Sequence, residues 1–228
     1  MPFHLVVPAA GSGSRLGGEP KQFRLLGGVP VLIRTIEAFL SVRGFEGVVI
    51  AAHAGQVGRT AEMLRSFFGD GSFEIVAGGD TRQESVRRAL DAVPDASELV
   101  LIHDAVRPFV TNDLVESIVD LAKRRGAACP AVPVADTLRR VLDNEFGETI
   151  DRRNLWQVQT PQAFRLEAIR ASHEWAARTG LIVTDDVELY QRHVGPVVCV
   201  EGDRRNFKIT DAGDWELAEI LVSGGKTT

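Results

Sequence analysis

The chain has 228 residues, 44% of them apolar and 25% charged, and its 31 acidic against 26 basic residues leave a net charge of −5. A chain of this length buries roughly 70% of its unfolded surface, so it needs no metal or disulfide staple, and its apolar content excludes disordered, collagen-like and coiled-coil classes. The negative charge argues against a nucleic-acid binder, and no stretch approaches the roughly 18 consecutive apolar residues of a membrane span.

Short apolar runs predict strands at 3–8, 47–52, 73–77, 98–103, 128–133 and 196–201. Amphipathic stretches between them predict helices at 31–42, 56–68, 82–93 and 111–125. Val86, Leu90 and Val93 repeat at helical spacing, with Asp80 or Thr81 as the cap of that helix and Thr111 as the cap of the next. Strand–helix alternation of this kind implies βαβ units, hence a parallel sheet covered by helices on both faces. The rhythm breaks past residue 133. Segments 136–143 and 148–151 flank Asn144-Glu145-Phe146-Gly147, which reads as a hairpin turn. Two strands alone are marginal, so this arm, about 136–152, is expected to pack on a second subunit. Helices resume at 165–178, 185–193 and 211–222. With no linker or repeat in view, residues 1–228 read as a single domain. The N-terminal apolar run ends at glycines before a secretory core could form, so the expected location is the cytoplasm.

Several residues carry plain structural readings. Cys129 and Cys199 lack metal-ligand spacing and read as buried reduced thiols. Trp156, Trp175 and Trp215 read as core anchors. The five histidines (4, 53, 103, 173 and 193) read as packing or surface residues. Asp185 and Asp186 read as the first turn of a capped helix, where carboxylates suit the positive dipole end.

Chemistry concentrates in three loops. The first strand runs into AAGSGSRLGGEPKQF, residues 9–23, whose glycines would let backbone amides approach phosphate oxygens. Leu16 stands where a dinucleotide fingerprint needs a small residue, and Lys21 lacks the GxxxxGK[ST] frame of a P-loop. The loop therefore matches neither common phosphate cradle, although Arg15 and Lys21 can both reach an anion; the alternative is a tight turn with two solvated cations. Only four lysines accompany 22 arginines, which draws attention to Lys21 and to Lys208 as compact point charges. VAGGDTRQES sets Gly78-Gly79 and Ser85 at a helix start, and LIHDAVRPF sets Asp104 and Arg107 after a strand. Asp104 could hold Mg²⁺ or a ribose hydroxyl, or cap a turn. Ligands of open α/β sheets bind outside the carboxyl ends of the strands, so all three loops point to one cleft.

The ordered set AAGSGSRLG, PKQF, GGDTRQESV, HDAVRPF, PVADT, LWQVQTPQAF, TDDVELY and NFKIT resembles the 2-C-methyl-D-erythritol 4-phosphate cytidylyltransferases of the non-mevalonate isoprenoid pathway. The resemblance spans nearly the whole chain. It implies a Rossmann-like, mostly parallel sheet with a β-hairpin arm interlocking two subunits of a homodimer, and, at this length, no fused cyclase domain. It implies CTP as nucleotide donor, Mg²⁺ as cofactor and a sugar-alcohol phosphate as acceptor. Arg15, Lys21 and Lys208 match the family's catalytic cations. Ala9, Ala10, Gly11, Gly13, Gly79, Asp80, Ser85 and Asp104 match nucleotide-binding positions, and Arg107, Thr137, Arg152, Thr160 and Thr184 match acceptor-binding positions. Arg153-Asn154 stands where Asn-Gly is expected, which leaves Arg152 and Arg153 open as the acceptor contact.

The implied reaction is attack of an acceptor phosphate oxygen on the α-phosphorus of CTP, with pyrophosphate leaving. A phosphomonoester has a second pKa of about 6, so the nucleophile is already charged and needs no general base. Two other readings stay open: a ribitol 5-phosphate cytidylyltransferase, and a non-catalytic nucleotide sensor, against which the three intact cations argue. A nicotinamide oxidoreductase is disfavoured by Leu16.

Overall fold

The computed structural model describes residues 2–11 and 18–224. The frame is a sheet whose central strands are apolar on both faces. Along β1 (Phe3–Ala9), Phe3, Leu5, Val7 and Ala9 face one way and Val6 the other, following the two-residue period of a strand. Its parallel neighbours are β4 (Phe45–Ala52) and β6 (Leu99–Ile102), with β5 (Phe73–Ala77) beyond β4. On one face lie α1 (Val31–Leu40), α2 (Val57–Phe68) and α4 (Asn112–Arg125), and their Ile36, Leu64 and Ile118 join the core of Leu5 and Leu101. On the other lie α3 (Arg82–Ala92), α5 (Leu166–Thr179) and α6 (Asp186–His193), which bury Leu90, Ile169 and Tyr190 against Val100 and Phe164. The predicted two-sided α/β sheet is thus observed. Thr81, rather than Asp80, caps α3 by accepting the Glu84 amide at 3.0 Å, and Thr111 caps α4 as expected.

Beyond β6 the sheet departs from a purely parallel plan. Strand β7 (Ala127–Pro133) does not pair with β6; β11 (Gln162–Arg165) lies between them, antiparallel to both. Strand β10 (Trp156–Val158) runs along the same side of β7 as β11, two residues out of register with it, and β12 (Val198–Glu201) closes the other side in parallel. Runs of three and four residues are too short to show a period, which is why β10 and β11 escape a reading of the sequence. Because β10 and β12 each pair only with β7, their side chains are partly uncovered. Trp156 is 43% exposed and Cys199 is exposed, so neither is the buried residue expected; Cys129 is buried, and burial pushes its thiol far up. Trp175 and Trp215 are half-buried, the first stacked on His193 and the second under the Arg24 guanidinium.

Strands β8 (Leu138–Leu142) and β9 (Glu145–Ile150) pair with each other and form the expected hairpin, but its turn is the two residues Asp143-Asn144, both at positive φ, and Glu145, Phe146 and Gly147, read as turn residues, belong to β9. It carries exposed Val141, Leu142 and Phe146. A short ribbon of β2 (Leu25–Leu26) and β3 (Val29–Pro30) packs with α7 (Ala212–Gly224) around Leu26, Ile209 and Ala218. No helix among the described residues is long and apolar enough to cross a membrane.

Leu101 is fully buried in the central strand β6. Replacing it by Ala should lower the unfolding free energy by about 2–5 kcal/mol in urea denaturation, through lost burial and the cavity left behind.

Candidate active site

The carboxyl ends of β1, β5 and β6 open onto a cleft of about 290 Å³. Its floor comes from Ala9, Ala10 and Gly11 after β1, one wall from Gly79, Asp80, Arg82 and Ser85 around the start of α3, and the other from Asp104 and Lys208. Lys21 closes the mouth from a short 3₁₀ turn, its ammonium bonded to the carbonyls of Ile209 and Thr210 in the segment after Lys208. Nine residues singled out in the sequence thus meet in one cleft: Ala9, Ala10, Gly11, Lys21, Gly79, Asp80, Ser85, Asp104 and Lys208. Gly13 and Arg15 lie outside the described residues.

The loop at 78–79 explains its glycines. A Cβ on Gly78 would stand 2.6 Å from the Ala10 methyl and 2.9 Å from Ser85 Oγ, so no larger residue fits. Ser85 is 2% exposed; its hydroxyl donates to the Thr81 carbonyl at 2.8 Å and accepts the Gly79 amide at 3.1 Å. It therefore shapes the wall and turns its hydroxyl to the loop.

Asp104 is the electrostatic centre. One oxygen meets Arg82 at 3.4 Å; the other meets Arg107 Nε and Lys208 Nζ, each at 3.2 Å. Burial alone would raise the pKa of this carboxyl. The charges of Arg82, Lys208 and Arg107 outweigh that penalty and hold it well below the usual carboxylate range. The turn is locked from behind: Thr160 Oγ1 accepts the Asp104 amide at 3.1 Å and sits 2.9 Å from His103 Nδ1, while His103 Nε2 faces the Arg107 carbonyl at 3.0 Å. Asn206, fully buried, donates to the Thr160 carbonyl at 2.8 Å, and Arg107 Nη1 donates to the Asn206 carbonyl at 2.8 Å. These bonds fasten the Lys208 segment to the Asp104 turn.

The residues matched to the acceptor are distributed differently. Arg107 and Lys208 line a second pocket, about 320 Å³, with Val132, Gln157, Gln159 and Arg204. Thr160 is buried behind the turn. Thr184 is exposed just ahead of α6. Thr137 and Arg152 stand exposed near the base of the arm, where the Val134 amide bonds to the Leu155 carbonyl at 3.0 Å. Arg153 closes on Asp151 in a bidentate contact, whereas the Arg152 guanidinium makes no such contact with any described residue.

A reading of the sequence missed Arg82, Asp186 and His173. Arg82 reaches Asp186 at 2.7 Å as well as Asp104, and Asp186 also meets His173 Nε2 at 3.0 Å. Asp185 does cap α6, accepting the Glu188 amide at 2.8 Å; Asp186 instead turns inward and is buried. The Arg in GGDTRQES, the first residue of α3, was the available signal for this cluster.

The chain matches known proteins along nearly its whole length. The family model for 2-C-methyl-D-erythritol 4-phosphate cytidylyltransferase matches residues 3–224. The chain belongs to that family. A member from Salinibacter ruber is 45% identical over 217 residues, covering 95% of this chain and 91% of its own. One from Geobacillus thermodenitrificans is 39% identical over 224 residues, covering 98% of each. The crystal structure of the family's enzyme from Thermus thermophilus superposes with a TM-score of 0.84 at 37% identity, covering 98% of this chain and all of that one. Membership identifies the chain as a nucleotidyltransferase.

His103 gives the family site in this chain a pH signature. Complete burial pushes its pKa from 6.5 down to about 4, so it is neutral in the fold near pH 7. The unfolded chain takes up a proton as pH falls through 6.5, but the fold resists until about 4. Stability is therefore full above 6.5 and should fall by about 3 kcal/mol across that window, at 1.36 kcal/mol per unit. Chemical denaturation at stepped pH measures this, and His103→Gln should flatten that part of the profile.

Proposed function

We propose that the protein transfers CMP from CTP to 2-C-methyl-D-erythritol 4-phosphate, releasing pyrophosphate and forming 4-diphosphocytidyl-2-C-methyl-D-erythritol. The observation that carries this reading is the position of Lys208. Its side chain lines both the glycine-walled cleft and the adjoining pocket that holds Arg107, so one cation borders both cavities. A transfer between two phosphates needs such a group, because the transferred phosphorus gains charge between donor and acceptor oxygens.

In this scheme the nucleotide occupies the cleft over Ala9, Ala10 and Gly11, with backbone amides of the 78–80 loop against the base and ribose. The acceptor phosphate lies in the Arg107 pocket. It attacks as a dianion, so the protein supplies alignment and charge rather than a base. Lys21, Lys208 and Arg15 are the proposed catalytic cations, with Gly13 in the same loop. The divalent ion is proposed as Mg²⁺. Asp104 lies at the cleft with both oxygens already met by cations, so substrate phosphates would supply most of the donors, a set that Mg²⁺ accepts with one or two carboxylates. When bound, it would neutralise charge on the triphosphate.

The arm supports a dimeric enzyme in this reading. Val141, Leu142 and Phe146 are 59%, 76% and 78% exposed on a ribbon that pairs with no other strand, a composition that a second copy of the chain would cover. Arg152, at the base of this arm, is the proposed contact to the acceptor in the partner's site, together with Thr137; Thr160 and Thr184 belong to the body. Its substrates are charged phosphates that do not cross lipid, and the proposed compartment is the cytoplasm.

With CTP, Mg²⁺ and 2-C-methyl-D-erythritol 4-phosphate, a coupled assay should show pyrophosphate release; faster turnover with ribitol 5-phosphate would overturn the acceptor assignment. Lys21→Ala or Lys208→Ala should lower kcat by roughly 10² or more, with a smaller loss in CTP affinity, as for removal of a preorganised transition-state donor.

The shared site has its own test. When inactive Lys208→Ala and Arg152→Ala proteins exchange subunits, a mixed dimer with Arg152 acting in trans holds one site free of both defects, and activity returns. Demonstrated exchange with no recovery would show that Arg152 acts within its own subunit.

A further inference from the structure

Half-buried Arg82 and fully buried Asp186 and His173 form a chain that the transfer scheme does not use. Arg82 is the first residue of α3, and its guanidinium bridges two carboxylates from distant parts of the sequence: Asp104 after β6 at 3.4 Å and Asp186 in the first turn of α6 at 2.7 Å. Asp186 is 1% exposed, a costly location for a carboxylate without compensation. Its second oxygen lies 3.0 Å from Nε2 of His173, which is 2% exposed, and its backbone amide donates to Gln162 Oε1 at 3.2 Å. An ionised carboxylate only accepts, so the proton of that contact sits on Nε2. Neither Asp186 nor His173 lines the cleft, whereas Arg82 and Asp104 do.

The geometry has a direct consequence. Arg82 takes one oxygen of Asp104 while Arg107 and Lys208 take the other. Asp186 draws the far end of the guanidinium away, so Arg82 contacts Asp104 from one side only. Without that anchor, Arg82 carries an unbalanced charge beside the cleft and is free to swing onto the oxygen that Lys208 uses. A planar fork held at two points is also stiffer than one held at a single point.

We infer that Asp186 and His173 are positioning residues for the transfer reaction: they fix Arg82, and through it the face of Asp104 that meets the nucleotide and Lys208. The inference rests on the reaction proposed above, and its chemistry is a charge relay without proton transfer. It predicts that damage appears on the nucleotide side, because Arg82 lines the nucleotide cleft and not the Arg107 pocket.

The test uses the full-length protein and two readouts. Nitrogen-15 spectra report the Arg82 side-chain N–H groups, assigned by their loss in Arg82→Lys. In the unmodified protein they should be sharp and slow to exchange; in Asp186→Asn they should broaden and exchange faster. In the same variant kcat/KM for CTP should fall about tenfold or more, the scale of one lost charged hydrogen bond, while KM for the acceptor holds within about twofold. His173→Gln, which keeps a donor, should behave as the unmodified protein in both readouts, and His173→Leu should reproduce the defect. Unchanged Arg82 resonances and CTP kinetics in Asp186→Asn would overturn the inference. So would an equal rise in both KM values that tracks a loss of thermal stability, since a merely structural role moves both sites together. If Asp186→Asn does not fold, the His173 pair decides: a defect in Leu but not Gln supports the relay, and equal behaviour of the two overturns it. Absence of pyrophosphate release by the unmodified protein would sink the proposed reaction, and the nitrogen-15 spectra would still decide the anchor.

Discussion

The site is organised by one buried carboxylate. Asp104 is 7% exposed and ionised, a state that burial opposes and that three cations sustain. Those cations come from three places in the chain: Arg82 from α3, Arg107 from the turn that follows β6, and Lys208 from the segment between β12 and α7. Any fold that satisfies Asp104 must therefore bring the two walls of the cleft together with the segment that carries Lys208.

The hydrogen bonds behind Asp104 serve the same requirement. Thr160 and His103 fix its backbone, and Asn206 ties the Lys208 segment to Thr160. Gln159, 5% exposed, adds a bond to the Asp203 carbonyl at 2.8 Å. Stiffness in this layer suits a reaction whose nucleophile needs no base, since alignment of charges is then most of what the protein contributes. The exposed arm is the opposite case. Among the described residues its Val141, Leu142 and Phe146 stay exposed, and its charged contacts, such as Arg140–Glu148, lie in solvent, where such pairs contribute little.

Some residues hold the site without facing it, and this separates matching a motif from knowing a role. Ser85 and Thr160 both stand in matched motifs, yet their hydroxyls are bonded to the backbone of loops that shape the cleft. Arg153 and Arg152 are adjacent, yet Asp151 captures only the former. Neighbouring side chains with equal chemistry acquire different roles from where the backbone aims them.

The sequence by itself determined the strand–helix alternation of the central sheet up to β7, the cap at Thr111, the hairpin and the glycine turn at 78–79. Each of these is a local pattern, written in apolar period or turn chemistry over a few residues. Its ordered motifs also pointed to nine of the residues that line the cleft. Only the tertiary structure decided that β11 separates β6 from β7, that Trp156 and Cys199 lie on uncovered strands, and that Asp186 turns inward to Arg82, 104 positions away. Those outcomes depend on which strands end at an edge and which charges must be compensated once buried. Such constraints arise between segments distant in sequence, and no local period records them.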